Sequence, residues 1–129
     1  MSSLVLSINL SDQTKNIQFR SENISITSGD GEQFGSISTS TSEGSITIDT
    51  HITGGNGPGL LLLRNLSTTA AETIDIGTAT TVYNFTLNAN DGSELNWAAI
   101  PLKSTITTIY HIAASGTPQL WFQLYERGA

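Results

Sequence analysis

Large apolar side chains recur at every second position through most of this chain, and that spacing limits the possible fold more than any other feature. Leu4-Val5-Leu6-Ser7-Ile8-Asn9-Leu10, Asn23-Ile24-Ser25-Ile26-Thr27, Ser45-Ile46-Thr47-Ile48-Asp49 and Thr73-Ile74-Asp75-Ile76 alternate aliphatic with polar residues. A period of two gives a strand one dry face and one wet face. The only stretch compatible with a helix is Ser67 to Glu72, and it is short.

Strand-like segments fall near 3–10, 16–20, 22–28, 34–40, 44–50, 59–66, 72–77, 81–88, 94–102, 105–113 and 118–126. These eleven are one or two more than the number of separate strands expected. Turn chemistry separates them at Ser28-Gly29-Asp30-Gly31, Ser42-Glu43-Gly44, Gly54 to Gly59, Asn90-Asp91-Gly92-Ser93 and Ser115-Gly116-Thr117-Pro118. Turns every 8–12 residues or so indicate a sandwich, jelly roll or barrel. The expected fold is therefore all-β, an antiparallel β-sandwich or jelly-roll-like single domain.

The two halves differ in bulk. Residues 1–53 carry small, hydroxyl-rich strands with Phe19 and Phe34 as their only aromatics, and form either an arm or part of the same sandwich. Residues 54–59 read as a glycine-rich flexible connection, and 60–129 as the sandwich core. Leu60-Leu61-Leu62-Leu63 lacks alternation, which predicts a central strand covered on both faces.

With 129 residues the chain can bury a core without covalent staples, and with no cysteine it has none to use. Its formal charge is −6, from 5 Lys+Arg and 11 Asp+Glu, so nucleic acid and anionic membrane surfaces are not expected partners. The 16 Ser and 18 Thr outnumber the 16 charged residues, so hydroxyls solvate the wet faces, and such faces are cheaper to dehydrate in a protein contact than charged ones. Met1-Ser2-Ser3 leads straight into alternation without the basic start and apolar stretch of a secretory signal, and no apolar run is long enough to span a membrane. The expected setting is a cytoplasm or a particle assembled there.

No enzyme signature emerges. His51, His111 and Asp49 can be drawn into a Ser/His/Asp set on paper, but no Gly-x-Ser-x-Gly elbow supports it, and a hydrogen-bonded strand histidine is the plain account of His111. Asn88 to Glu94 and Asp30-Gly31-Glu32 cluster oxygen ligands without the loop spacing of a calcium site, so tight turns are expected and no metal or cofactor is called for. The glycine-rich 54–59 segment lacks the following Lys-Ser/Thr and helix of a phosphate loop. Asn23-Ile24-Ser25, Asn65-Leu66-Ser67 and Asn84-Phe85-Thr86 are chance glycosylation matches.

Candidate contact residues are few. In Gln119-Leu120-Trp121-Phe122-Gln123-Leu124-Tyr125, a core-facing set Leu120, Phe122, Leu124 leaves Trp121 and Tyr125 as an aromatic pair outside, suited to a subunit contact, a covering loop or a ligand. Most of the other aromatics are expected in the core. The basic residues are Lys15, Arg20, Arg64, Lys103 and Arg127. Arg64 interrupts an apolar strand, where pairing with Asp75 or Glu72 is favoured over reaching across an interface. Trp121, Tyr125, Arg127 and Arg64 are the interface candidates.

The segment Gly59 to Glu126 resembles a small β-domain of tailed-bacteriophage virion structural proteins. The resemblance rests on Leu61-Leu62-Leu63-Arg64-Asn65-Leu66, then Ile74-Asp75-Ile76-Gly77, Phe85-Thr86-Leu87, Ile100-Pro101-Leu102 and the closing run Leu120 to Tyr125. It implies a non-enzymatic capsid decoration or cement protein, a homo-oligomer and most often a trimer, that binds the major capsid protein on the outside of the shell. A tail, neck or fibre component belongs to the same class. The alternative from another class is a carbohydrate-binding β-sandwich module that stacks sugars on Trp97, Trp121, Tyr83 or Tyr125.

Overall fold

The computed structural model describes the backbone of residues 2–6, 9–12, 17–20, 24–92 and 94–128, and side chains within 31–128 except at 53, 54 and 93. Among these residues there are eleven strands and one short helix. They are β1 (Ser2–Leu6), β2 (Asn9–Asp12), β3 (Ile17–Arg20), β4 (Ile24–Ser38), β5 (Gly44–Thr47), α1 (Thr50–Gly54), β6 (Pro58–Asn65), β7 (Ile74–Gly77), β8 (Phe85–Leu87), β9 (Trp97–Pro101), β10 (Thr108–Ala113) and β11 (Gln119–Arg127). No helix among the described residues is long and apolar enough to cross a membrane.

The strands form a five-stranded antiparallel sheet in the order β1-β4-β11-β6-β9, a four-stranded one in the order β5-β10-β7-β8, and the β2–β3 pair. From β4 onward the pairing is nested: β4 with β11, β5 with β10, β6 with β9 and β7 with β8. Nested pairing across two sheets is the winding of a jelly roll, so the expected all-β sandwich is the fold of this chain.

The number of strands exceeds the expectation, and their partition differs. The segments expected at 22–28 and 34–40 are one strand, β4, which runs through Ser28-Gly29-Asp30-Gly31 without turning. It pairs with β1 along Ile24–Ser28 and with β11 along Glu32–Ser38 and again at Ser28 past a register shift, and this pairing on both sides of the shift overrides the local turn preference. The one helix is not at Ser67 to Glu72 but at Thr50–Gly54, where the Asp49 side chain accepts from the His51 amide at 2.7 Å and caps the first turn.

The core lies between the sheets. Ile46 of β5 and Ile48 just beyond it meet Leu61 and Leu63 of β6, Ile74 and Ile76 of β7, and Leu120, Phe122 and Leu124 of β11, with Ile52 of α1 fully buried beside them. The sheets are tied along the β4/β5 side by one side chain: Gln33 donates to the Thr47 carbonyl at 3.1 Å and accepts from the Asp49 amide at 2.7 Å. Nearby, the buried Glu126 carboxylate accepts from the Gly31 amide at 2.6 Å and the Asn56 amide at 2.9 Å, fastening β11 to β4 and to the turn after α1. A Cβ at Gly31 or Gly55 would lie 2.6 or 2.3 Å from that carboxylate, so both glycines make room for it. On the four-stranded sheet, Glu43 accepts from the Thr81 amide at 2.8 Å and from the Tyr83 hydroxyl, holding Thr81 at φ 59° and raising the Tyr83 phenol to about 12.

Candidate functional site

Strand β11 alternates as its sequence requires. Leu120, Phe122 and Leu124 are buried, while Trp121, Gln123 and Tyr125 are half-buried on the opposite face. Directly paired residues of an antiparallel sheet point the same way, so the register fixes what surrounds them. One row across the outer face of the five-stranded sheet reads Ser36, Trp121, Arg64, Trp97. The next reads Phe34, Gln123, Leu62, Ala99, and a third Glu32, Tyr125, Leu60, Pro101. Three of the four interface candidates, Trp121, Tyr125 and Arg64, thus share one face.

The fourth does not join them in this grid. Arg127 lies past a register shift in β11, and its guanidinium donates to the Leu102 carbonyl at 2.6 Å. Tyr83, named among the sugar-stacking candidates, is engaged with Glu43 on the other sheet.

The exposed Arg64 guanidinium donates no hydrogen bond to and joins no ion pair with any described residue, contrary to the expectation of a carboxylate partner. The proposed partners are occupied. Asp75 accepts from the Thr86 hydroxyl at 2.6 Å, and Glu72 accepts from the Ser67 hydroxyl. The reason is the pleat: Asp75 belongs to the other sheet, and Arg64 points away from it.

The expectation that β6 is covered on both faces also needs correction. Leu61 and Leu63 are buried, but Leu60 and Leu62 are only half-buried on the outer face. Two aromatics lie outside the core: Phe34 is 68% exposed and Trp97 38%. Phe34, Leu60, Leu62, Trp97 and Trp121 form an apolar grid that no described part of the chain covers. With strands about 4.8 Å apart and same-face residues about 6.8 Å apart, the grid spans roughly 14 Å in each direction. Sequence reasoning did not name Phe34 or Leu62 as surface residues, and placed Trp97 there only in the sugar-binding alternative. The signal that could have found Leu62 was the missing alternation in Leu60 to Leu63, since a strand with two apolar faces in so small a sandwich must turn one of them outward.

Polar atoms at the rim are mostly satisfied within the sheet. Gln119 accepts from the Ser36 hydroxyl at 3.2 Å and donates to the Ser38 hydroxyl at 2.9 Å. The Gln123 amide donates to the Tyr125 hydroxyl, whose pKa is raised by burial and by the neighbouring Glu32. What the face leaves unsatisfied is apolar surface and one guanidinium.

No reaction centre forms around the histidines among the described residues. Asp49 accepts from the backbone of His51 rather than from its ring. His111 is 4% exposed, and neither of its ring nitrogens meets a hydrogen-bond partner among the described residues, so the expected hydrogen-bonded strand histidine is corrected to an unpaired one. No three His, Cys, Asp or Glu side chains gather as a metal centre among the described residues. At the turn after β8, the Asn88 amide donates to Glu94 at 2.9 Å and Gly92 takes φ 87°, a tight turn closed on itself.

In comparisons with protein-family models, with curated proteins and with solved structures, nothing matches this chain. What is shown is a compact all-β domain of two antiparallel sheets without a catalytic motif among its described residues.

Proposed function

We propose that this protein is a non-enzymatic structural protein that docks on other proteins through the outer face of its five-stranded sheet. The observation that carries the proposal is the row Trp121-Arg64-Trp97, flanked by Phe34, Leu60, Leu62 and Tyr125. Trp, Tyr and Arg are the residues that dominate binding energy at protein interfaces, and here they sit together on an uncovered sheet rather than scattered. The jelly-roll winding recurs in viral capsid domains and in lectins. Together with the strand resemblance of residues 59–126, it favours a bacteriophage virion, with the chain as a capsid decoration protein on the major capsid protein, acting as a homo-oligomer with a trimer favoured.

The test uses purified phage shells stripped of this protein and the recombinant chain. Co-sedimentation with the shells, lost in Arg64→Glu and Trp121→Ala variants that keep the parental melting temperature, supports the proposal. A chain that remains monomeric by mass measurement and never sediments with shells removes it.

One observation favours a second reading. Trp97 and Trp121 lie two strands apart on one flat face, a spacing that would let two sugar rings stack. The apolar Leu60, Leu62 and Phe34 beside them weigh toward a protein partner, because sugar sites need amides and carboxylates in those places. Glycan-array binding abolished by Trp121→Ala, without loss of folding, would favour the sugar.

A further inference from the structure

The two long sides of the sandwich are unlike. Along β4/β5 the sheets are stitched by Gln33. Along the side bounded by β8 and β9, the last strands of their sheets, they part around a cavity of about 400 Å³. The buried Leu61, Ile76 and Ile109 and the half-buried Phe85 and Ile100 line it. Close-packed interiors leave few voids larger than a water molecule, and an apolar cavity of about 150 Å³ already takes benzene. This one is therefore large enough to hold a sizeable apolar guest, and it falls within the size range of small-molecule sites.

The edges decide what kind of guest. A strand added from another chain needs a long, regular edge, but β8 has three residues, and β9 has five and ends in Pro101. Short edges and proline are what proteins use to block strand addition. The charge decides the head group. Exposed Lys103 also lines the cavity, is one of only five basic residues in a chain of net charge −6, and ion-pairs with no described residue.

We infer that the β8/β9 side of the sandwich is a binding site for a small amphiphile with an aliphatic body and a carboxylate head, such as a medium-chain fatty acid. The body lies against Leu61, Ile76 and Ile109 between the sheets, and the carboxylate meets the Lys103 ammonium at the opening. This site is separate from the outer face of the five-stranded sheet, and its failure would leave the docking proposal standing.

Calorimetric titration with decanoate, decanol and decyltrimethylammonium on the full chain tests it. The expected result is saturable one-to-one binding with decanoate tightest, and with a negative heat-capacity change from apolar burial. Lys103→Glu is expected to weaken decanoate by about fivefold and to favour the cationic amphiphile, a change of the size one exposed ion pair supplies. Ile106→Trp, which fills the cavity, is expected to abolish binding, whereas Trp121→Ala leaves it unchanged. Should Ile106→Trp fail to fold, the reversal of preference in Lys103→Glu decides alone. No decanoate binding, or binding that Lys103→Glu leaves untouched and Trp121→Ala removes, overturns the inference.

Discussion

Gly44 stands directly across the β5–β10 ladder from His111, and a Cβ there would lie 2.5 Å from the imidazole Cε1. The glycine makes room for a ring whose two nitrogens are both buried with no partner among the described residues. Burial pushes the His111 pKa below its usual 6.5, and the Glu43 carboxylate offsets only part of this. An unpaired buried histidine is a weak point that acid should reveal.

The sign follows from proton counting. Between the lowered folded pKa and 6.5, the unfolded chain binds a proton that folded His111 refuses, so stability rises with pH across that window and is lost as pH falls below 6.5. His111→Leu is expected to be at least as stable as the parent at pH 7.5, by up to about 1 kcal/mol, because it removes two unsatisfied buried atoms at similar size. Its loss of stability between pH 7.5 and pH 5 should also be smaller than the parent's, roughly within the range over which one histidine titrates. Urea denaturation of both proteins at the two pH values checks this, with the carboxylates common to both cancelling. Equal acid sensitivity would show that His111 is not the group responsible. Gly44→Ala, which drives a methyl group into the ring, is expected to cost about 1–3 kcal/mol.

Glu126 closes the opposite end of the fold. Its carboxylate takes the Gly31 and Asn56 amides, so Glu126→Ala leaves donors without their acceptor and is expected to cost about 3 kcal/mol. Gly31→Ala attacks the same contact from the other side, since its Cβ would meet the carboxylate at 2.6 Å. The two losses should not add: the double variant is expected to recover at least about 1 kcal/mol of the summed cost, as residues in direct contact do. A urea-denaturation cycle of the four proteins measures this coupling, and strict additivity would mean that the carboxylate does not occupy the space Gly31 leaves.

Asn65 is fully buried and joins three segments. Its amide donates to the Glu72 carbonyl at 2.8 Å and the Leu87 carbonyl at 3.4 Å, and its oxygen accepts from the Ser67 amide at 3.0 Å. Asn65→Leu strips all of these and is expected to cost about 2–4 kcal/mol in chemical denaturation. The same burial keeps this asparagine from serving as a glycosylation acceptor in the folded chain. A variant as stable as the parent would show that these segments hold together without it.

Alternation makes part of this architecture legible in the residues themselves. The facing of β11 and the core positions of β7 follow from period two alone, because the pleat permits no other arrangement once one side is dry. Period two does not say which strand neighbours which. The row Trp121-Arg64-Trp97 joins residues from three separate strands, and nothing in any one of them names the other two. The turn expected at Ser28 to Gly31 gives way to pairing with β1 and β11, and the Gly31 amide there serves the Glu126 carboxylate, 95 positions away. The helix at Thr50–Gly54 is hidden because five residues are too few to show a helical period, and its only sequence sign is Asp49 at the cap. Gln33 reads as one more polar residue on a wet face, yet it points inward and bridges the sheets.

The docking face carries its own reporter. The chain has only two tryptophans, Trp97 and Trp121, and the register puts both in one row of the outer sheet, on either side of Arg64. Any partner that covers this face must take both indoles out of water together, while one that binds elsewhere leaves both unchanged. Adding saturating shells is therefore expected to shift the fluorescence emission to shorter wavelength and to reduce acrylamide quenching. The same should hold in each of the single-tryptophan variants Trp97→Phe and Trp121→Phe. Arg64→Glu and Phe34→Ser change exposed side chains and should move stability by no more than about 0.5 kcal/mol. If the row is the centre of the contact, Arg64→Glu should weaken binding by about 2 kcal/mol, roughly thirtyfold, and sharply reduce the fluorescence change at concentrations that just saturate the parent. Binding that proceeds with both tryptophans still fully quenchable would place the contact on another surface of the molecule and end the case for this one.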